Sequence, residues 1–132
     1  MASPRVLIVD DESHIVRVLS LILTRQGYEV QVADNGLTAW DLAVQTPPDL
    51  VIADQQMPGL TGIELATRLK AQTQTENVPV MIVTARQLHP NPDDARETNV
   101  TEILPKPFSP KRLIAHVVEL IGPADVQERC AG

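Results

Sequence analysis

The chain predicts an α/β fold, one doubly wound parallel sheet of five strands with helices on both faces, and three observations carry the prediction. Short apolar segments rich in β-branched residues alternate without interruption with segments whose apolar residues recur at helical spacing. The strand segments are nearly continuous in apolar character, as strands covered on both faces are. Gly, Pro and Asn-Gly punctuation separates one segment from the next. Crossovers in such a sheet are right-handed, so the strand C-termini share one edge, and ligands bind there at the topological switch point.

The elements follow in order. Arg5 to Val9 is the first strand and ends at Asp10-Asp11. From Ser13, the residues Ile15, Val18, Leu19 and Ile22 fall at helical spacing, and Gly27 stops that helix. Glu29 to Ala33 is the second strand, and Asn35-Gly36 turns the chain into a helix carrying Ala39, Trp40 and Ala43. Pro47-Pro48 end it, and the third strand runs from Leu50 to Asp54. Pro58-Gly59 break the chain before a helix with Ile63, Ala66 and Leu69, for which Thr61 is the cap. Val80 to Val83 is the fourth strand, ending at Thr84. Asn91, Pro92, Asp93 and Asp94 predict the start of a short fourth helix. Glu102 to Leu104 is the fifth strand. Ser109-Pro110 open a last helix whose stripe is Leu113, Ile114, Val117, Val118 and Ile121, with Gly122-Pro123 as its stop. The expected organisation is one domain over residues 1–122 and a polar tail over 123–132, without repeat or linker.

Composition narrows the function. The 132 residues are 43% hydrophobic, enough for a core, but only 2% aromatic, so that core is built from Val, Ile, Leu and Ala. A net charge of -6 with no basic stripe excludes a nucleic-acid surface. No apolar run reaches the roughly 20 residues of a membrane span, and no signal peptide opens the chain, so the expected address is cytoplasmic. Cys130 stands alone in the tail and gives no disulfide frame, and His14, His89 and His116 share no metal-ligand spacing. Tyr28, Trp40 and Phe108 read as packing residues, and Gln55 and Gln56 as polar loop residues.

What the strands deliver to their common edge carries the chemistry: Asp10 and Asp11, Asp54, Thr84 and Lys106. Three carboxylates a few ångströms apart repel by several kcal/mol at an effective dielectric of about 20. Either some stay protonated or a cation neutralises them. An oxygen-rich site with few protein ligands suits Mg²⁺, which keeps several waters and takes a phosphate oxygen. Lys106 brings a point charge for a carboxylate or phosphoryl oxygen, and Thr84 a hydroxyl donor. A carboxylate, a hard cation, a lysine and a hydroxyl around one centre make a phosphoryl-transfer site, with the carboxylate as nucleophile forming an aspartyl-phosphate.

Asp10-Asp11, Asp54 with Met57-Pro58-Gly59, Thr84-Ala85 and Lys106-Pro107-Phe108 agree in order and spacing with a known family. From about Arg5 to Ile121 the chain resembles the receiver domain of two-component response regulators. The resemblance implies a flavodoxin-like (βα)5 fold with strand order 2-1-3-4-5. It implies Asp54 as phosphoacceptor, Asp11 and Asp54 as direct Mg²⁺ ligands, Asp10 holding a coordinated water, and the Gln56 main-chain carbonyl completing the protein ligands. Thr84 and Lys106 would engage the phosphoryl group, Ala85 would leave it room, and Lys106-Pro107 would be cis. The implied partners are a sensor histidine kinase or phosphotransfer protein and a downstream protein. The implied activity is limited to the domain's own phosphorylation and dephosphorylation.

Three positions depart from the family pattern. Ile103 stands where an aromatic is usual, His89-Pro90-Asn91-Pro92 replaces the start of the usual fourth helix, and Asn99-Val100 replaces Gly-Ala. The first two fall on the surface that receivers use for output, so the chemistry is intact while the output face is altered. That supports an alternative reading, a phosphorylation-independent docking or dimerisation module. An aspartate-nucleophile phosphatase needs a second acid two residues after the nucleophile, where Gln56 stands, and no P-loop exists. Gln56 opposite Arg86 is expected to screen hydrolytic water from the phosphoryl group.

Overall fold

In the computed structural model, which describes residues 4–57, 59–85 and 100–123, five strands form one parallel sheet. They are β1 (Arg5–Val9), β2 (Glu29–Ala33), β3 (Leu50–Ala53), β4 (Val80–Thr84) and β5 (Val100–Pro105), paired in the order β2-β1-β3-β4-β5. Four helices accompany them among the described residues: α1 (Ser13–Arg25), α2 (Gly36–Gln45), α3 (Gly62–Lys70) and α4 (Pro110–Ile121). The predicted α/β class and strand order are both present. The short helix expected from Pro92, and with it Arg86, His89, Asn99 and Cys130, lies outside the described residues.

Alternate residues of the inner strands feed two separate cores. Leu7, Val9, Val51, Ala53, Val80 and Ile82 pack with Ala39 and Ala43 of α2 and Leu65, Ala66 and Leu69 of α3. Val6, Ile8, Leu50, Ile52, Met81 and Val83 pack with Leu19 and Leu23 of α1 and Leu113 and Val117 of α4. Every residue of β3 is buried, which is why its sequence is apolar throughout. As expected, Tyr28, Trp40 and Phe108 pack, Trp40 on the first core and the other two on the second. The Tyr28 hydroxyl also donates to the Gly122 carbonyl at 2.7 Å, tying the α1–β2 turn to the end of α4.

Local chemistry sets the helix starts. The Asn35 side chain accepts from the Thr38 N–H at 2.8 Å. Thr61 and Glu64 form a reciprocal capping box on α3. Ser109 caps α4, with Pro110 in the first turn, where a missing N–H costs nothing. Gly27, at φ 97°, turns the chain out of α1 in a conformation that a side chain would disfavour.

Two strand boundaries differ from expectation. β3 ends at Ala53, so Asp54 stands one step beyond the ladder. β5 is longer than Glu102 to Leu104, because its pairing with β4 extends to Val100 at one end and Pro105 at the other. The β4–β5 register jumps from Val80↔Val100 to Met81↔Glu102, leaving Thr101 as the extra residue of a bulge. Its hydroxyl donates to the Val80 carbonyl at 3.4 Å. Past the bulge, Ile103 lies beside Ile82 and packs on the α2–α3 core, while Leu104 packs on the other.

Candidate functional site

Main-chain bonds carry the sheet one residue past its strands and bring the acidic positions together. The Asp10 N–H donates to the Ala33 carbonyl at 3.2 Å, that of Asp54 to the Val9 carbonyl at 2.9 Å, and that of Lys106 to the Thr84 carbonyl at 2.8 Å. Residues from β1, β3, β4 and β5 thereby meet at the C-terminal edge. The Lys106–Pro107 peptide is cis.

Asp10, Asp54 and Thr84 are buried, at 2%, 7% and 1% exposure, an unusual place for two carboxylates. Lys106 Nζ compensates them: it donates to Asp10 Oδ2 at 3.0 Å and stands 3.6 Å from Asp54 Oδ2. It also reaches Glu12 Oε1 at 3.4 Å. Asp10 Oδ1 accepts from the Glu12 N–H at 2.9 Å. One oxygen each from Asp10, Glu12 and Asp54 lies within 4.8 Å of the others.

Burial holds the Asp54 carboxyl above the usual carboxylate range; Lys106 opposes this, Asp10 adds to it, and the main-chain N–H groups of Gln56 and Gln55 oppose it again. For Lys106, burial works against the charge, but the hydrogen bond to Asp10 and the charges of Asp10, Asp54 and Glu12 outweigh it and raise the ammonium above its ordinary value. Three carboxylates against one ammonium leave an excess of negative charge. All converging anionic donors are oxygens, so the set suits a hard divalent cation that retains waters.

Asp11 stands exposed and outside the trio. With Asp10 it lines a cavity of about 450 Å³ between the starts of α1 and α2 and the end of β2, together with Ser13, Val16, Val32 and Thr38. Gln56 is exposed beside Asp54. Sequence reasoning missed Glu12, the third acid in Asp10-Asp11-Glu12; its only signal was that run of charge, because its reach to Lys106 depends on the loop.

An open parallel α/β sheet with buried acids and a lysine at its switch point defines an α/β module with its ligand site at the strand C-termini. The chain belongs to the response regulator receiver domain family, whose family model matches residues 6–118. It is 37% identical over 128 residues to the phosphate regulon transcriptional regulatory protein PhoB of Pseudomonas aeruginosa, covering 95% of this chain and 56% of that protein. It is 34% identical over 119 residues to the transcriptional regulatory protein SrrA of Staphylococcus aureus, covering 90% and 48%. The chain thus spans about half the length of the curated relatives it matches.

Among solved structures, the chemotaxis response regulator CheY4 of Vibrio cholerae superposes with a TM-score of 0.80 at 30% identity, over 89% of this chain and 98% of that one. The receiver domain of the sensor histidine kinase PA1611 of Pseudomonas aeruginosa, with a magnesium ion coordinated in its active-site cleft, superposes with a TM-score of 0.81 at 26% identity, over 92% and 99%. No helix among the described residues is long and apolar enough to cross a membrane.

Proposed function

We propose that Asp54 is the phosphoacceptor of a two-component relay and that its phosphorylation switches binding of a downstream protein. The observation that carries this reading is the buried Asp10–Lys106–Asp54 arrangement at the strand ends. An Asp54 carboxylate oxygen attacks the phosphorus of a phosphohistidine on a sensor kinase or phosphotransfer protein. The P–N bond breaks, the electron pair leaves with the imidazole, and an acyl phosphate forms on Asp54.

Asp11, Asp54 and the Gln56 carbonyl would hold a Mg²⁺ ion, with Asp10 on a coordinated water, and the ion would supply charge to offset the incoming phosphoryl oxygens. Glu12 joins the acids available to it. Lys106 pairs with a phosphoryl oxygen, and the Thr84 hydroxyl hydrogen-bonds another. The domain works in the cytoplasm, turns over no separate substrate, and reads neither nucleic acid nor membrane itself.

Acetyl phosphate with Mg²⁺ should add one phosphoryl group to the wild type and none to Asp54→Asn, read by intact mass. An unmodified wild type sinks the proposal. Ile103, packed on the core where a ring is usual, keeps the docking-module reading in the test. If a beryllofluoride mimic leaves the solution spectra and partner affinity unchanged, that second reading stands instead.

A further inference from the structure

Gln55 supplies two acceptors to the start of α3. The first helical N–H groups have no acceptor within their own helix. In α3 the Gly62 N–H donates to the Gln55 main-chain carbonyl at 3.2 Å, and the Ile63 N–H to Gln55 Oε1 at 2.9 Å. The next N–H, of Glu64, goes instead to Thr61 Oγ1 at 3.1 Å. Gly62 tightens the same junction, because a Cβ there would lie 2.7 Å from the Asp54 carbonyl oxygen. The end of β3 and the start of α3 are therefore clamped together, and the clamp is the residue directly after Asp54.

The main-chain N–H groups of Gln55 and Gln56, in that clamped segment, hydrogen-bond the Asp54 carboxylate. We infer that the Gln55 side chain is a positioning residue for phosphoryl transfer at Asp54: by holding the Ile63 N–H, it fixes the two peptide groups that address the reacting carboxylate. This rests on the proposed role of Asp54. A carboxamide suits the task because it accepts without adding a fourth negative charge beside Asp10, Glu12 and Asp54. A leucine of similar size keeps the bulk and loses the acceptor.

The test compares Gln55→Leu with Thr61→Val, which removes the neighbouring cap of the same helix and leaves Gln55 alone. Metal-free hydrogen exchange should show the Ile63 and Gln56 amides opening about fivefold faster in Gln55→Leu, with Thr61→Val affecting Glu64 instead. Phosphorylation by acetyl phosphate and Mg²⁺ should slow about three- to tenfold in Gln55→Leu and stay at the wild-type rate in Thr61→Val. Equal slowing in both variants would mean that only helix stability matters, and unchanged rates in Gln55→Leu would mean no positioning at all. Either result overturns the inference while leaving Asp54 as acceptor. A wild type that takes up no phosphoryl group overturns both.

Discussion

β3 and β5 lie in the same sheet, one strand apart, yet they have different tolerances. β3 is central, pairs on both sides, and buries all four of its residues before releasing the chain at Asp54. β5 is an edge strand with a bulge, an exposed Thr101, and an Ile103 that is only partly buried. A strand enclosed on four sides cannot shift without disturbing two cores, so it is the place to hang a reactive group. An edge strand can change its side chains at small cost, so it is the place where readout can diverge. Buried acids at the end of a central strand and a half-exposed side chain on an edge strand follow from that difference.

The sharpest break of the comparison is a pair of truncations. Ile52→Ala should cost about 2–5 kcal/mol, and Ile103→Ala less than about 1.5 kcal/mol, both measured by urea unfolding. Equal costs would contradict the contrast between centre and edge.

Lys106→Met comes next, at about 1–3 kcal/mol near neutral pH, because it leaves the buried Asp10 and Asp54 without their cation. The ammonium is raised above its ordinary value in the fold, so its contribution is full below the unfolded value of 10.5 and is lost as pH rises through the folded one. The gap between variant and wild type should therefore narrow in strong alkali, and also in acid, where protonation of Asp54 removes the charge that Lys106 compensates.

Asp54→Asn should act in the opposite direction, raising Tm by about 2–5 °C at neutral pH. The Asp54 carboxyl is raised from 3.8 in the fold, so its favourable contribution is present below that value and is lost as pH rises through the folded one. At neutral pH the ionised group opposes folding, and the gain from Asn should vanish in acid. The smallest effect belongs to Glu64→Gln, on the exposed first turn of α3. Its carboxyl is lowered from 4.5, first by the Thr61 N–H, so its contribution is present above that value and disappears as pH falls through the folded one. Thermal scans of both proteins should differ slightly at pH 7 and converge in strong acid.

Asp10, Asp54, Thr84 and Lys106 were legible because each follows an apolar run that can only be a buried strand, and parallel topology brings such ends together. Glu12 and Gln55 were not. Each sits one residue past a legible acid, and its partner, Lys106 for one and the Ile63 N–H for the other, is set by loop geometry that periodicity does not encode. The extent of β5 was missed for a related reason. Val100 and Ile103 pack on the same core although three residues apart, which strict alternation forbids and only the extra residue at Thr101 allows.

That bulge works as a parity switch for the whole C-terminal part of the chain. Were Thr101 paired with Met81 in a regular ladder instead of bulged out, everything downstream would arrive one step out of phase: Ile103 would face α1 and α4, Leu104 the opposite layer, and the Lys106 ammonium would lose its line to Asp10. A bulge at the sheet's margin therefore keeps count for the lysine on which the charge balance of the interior depends.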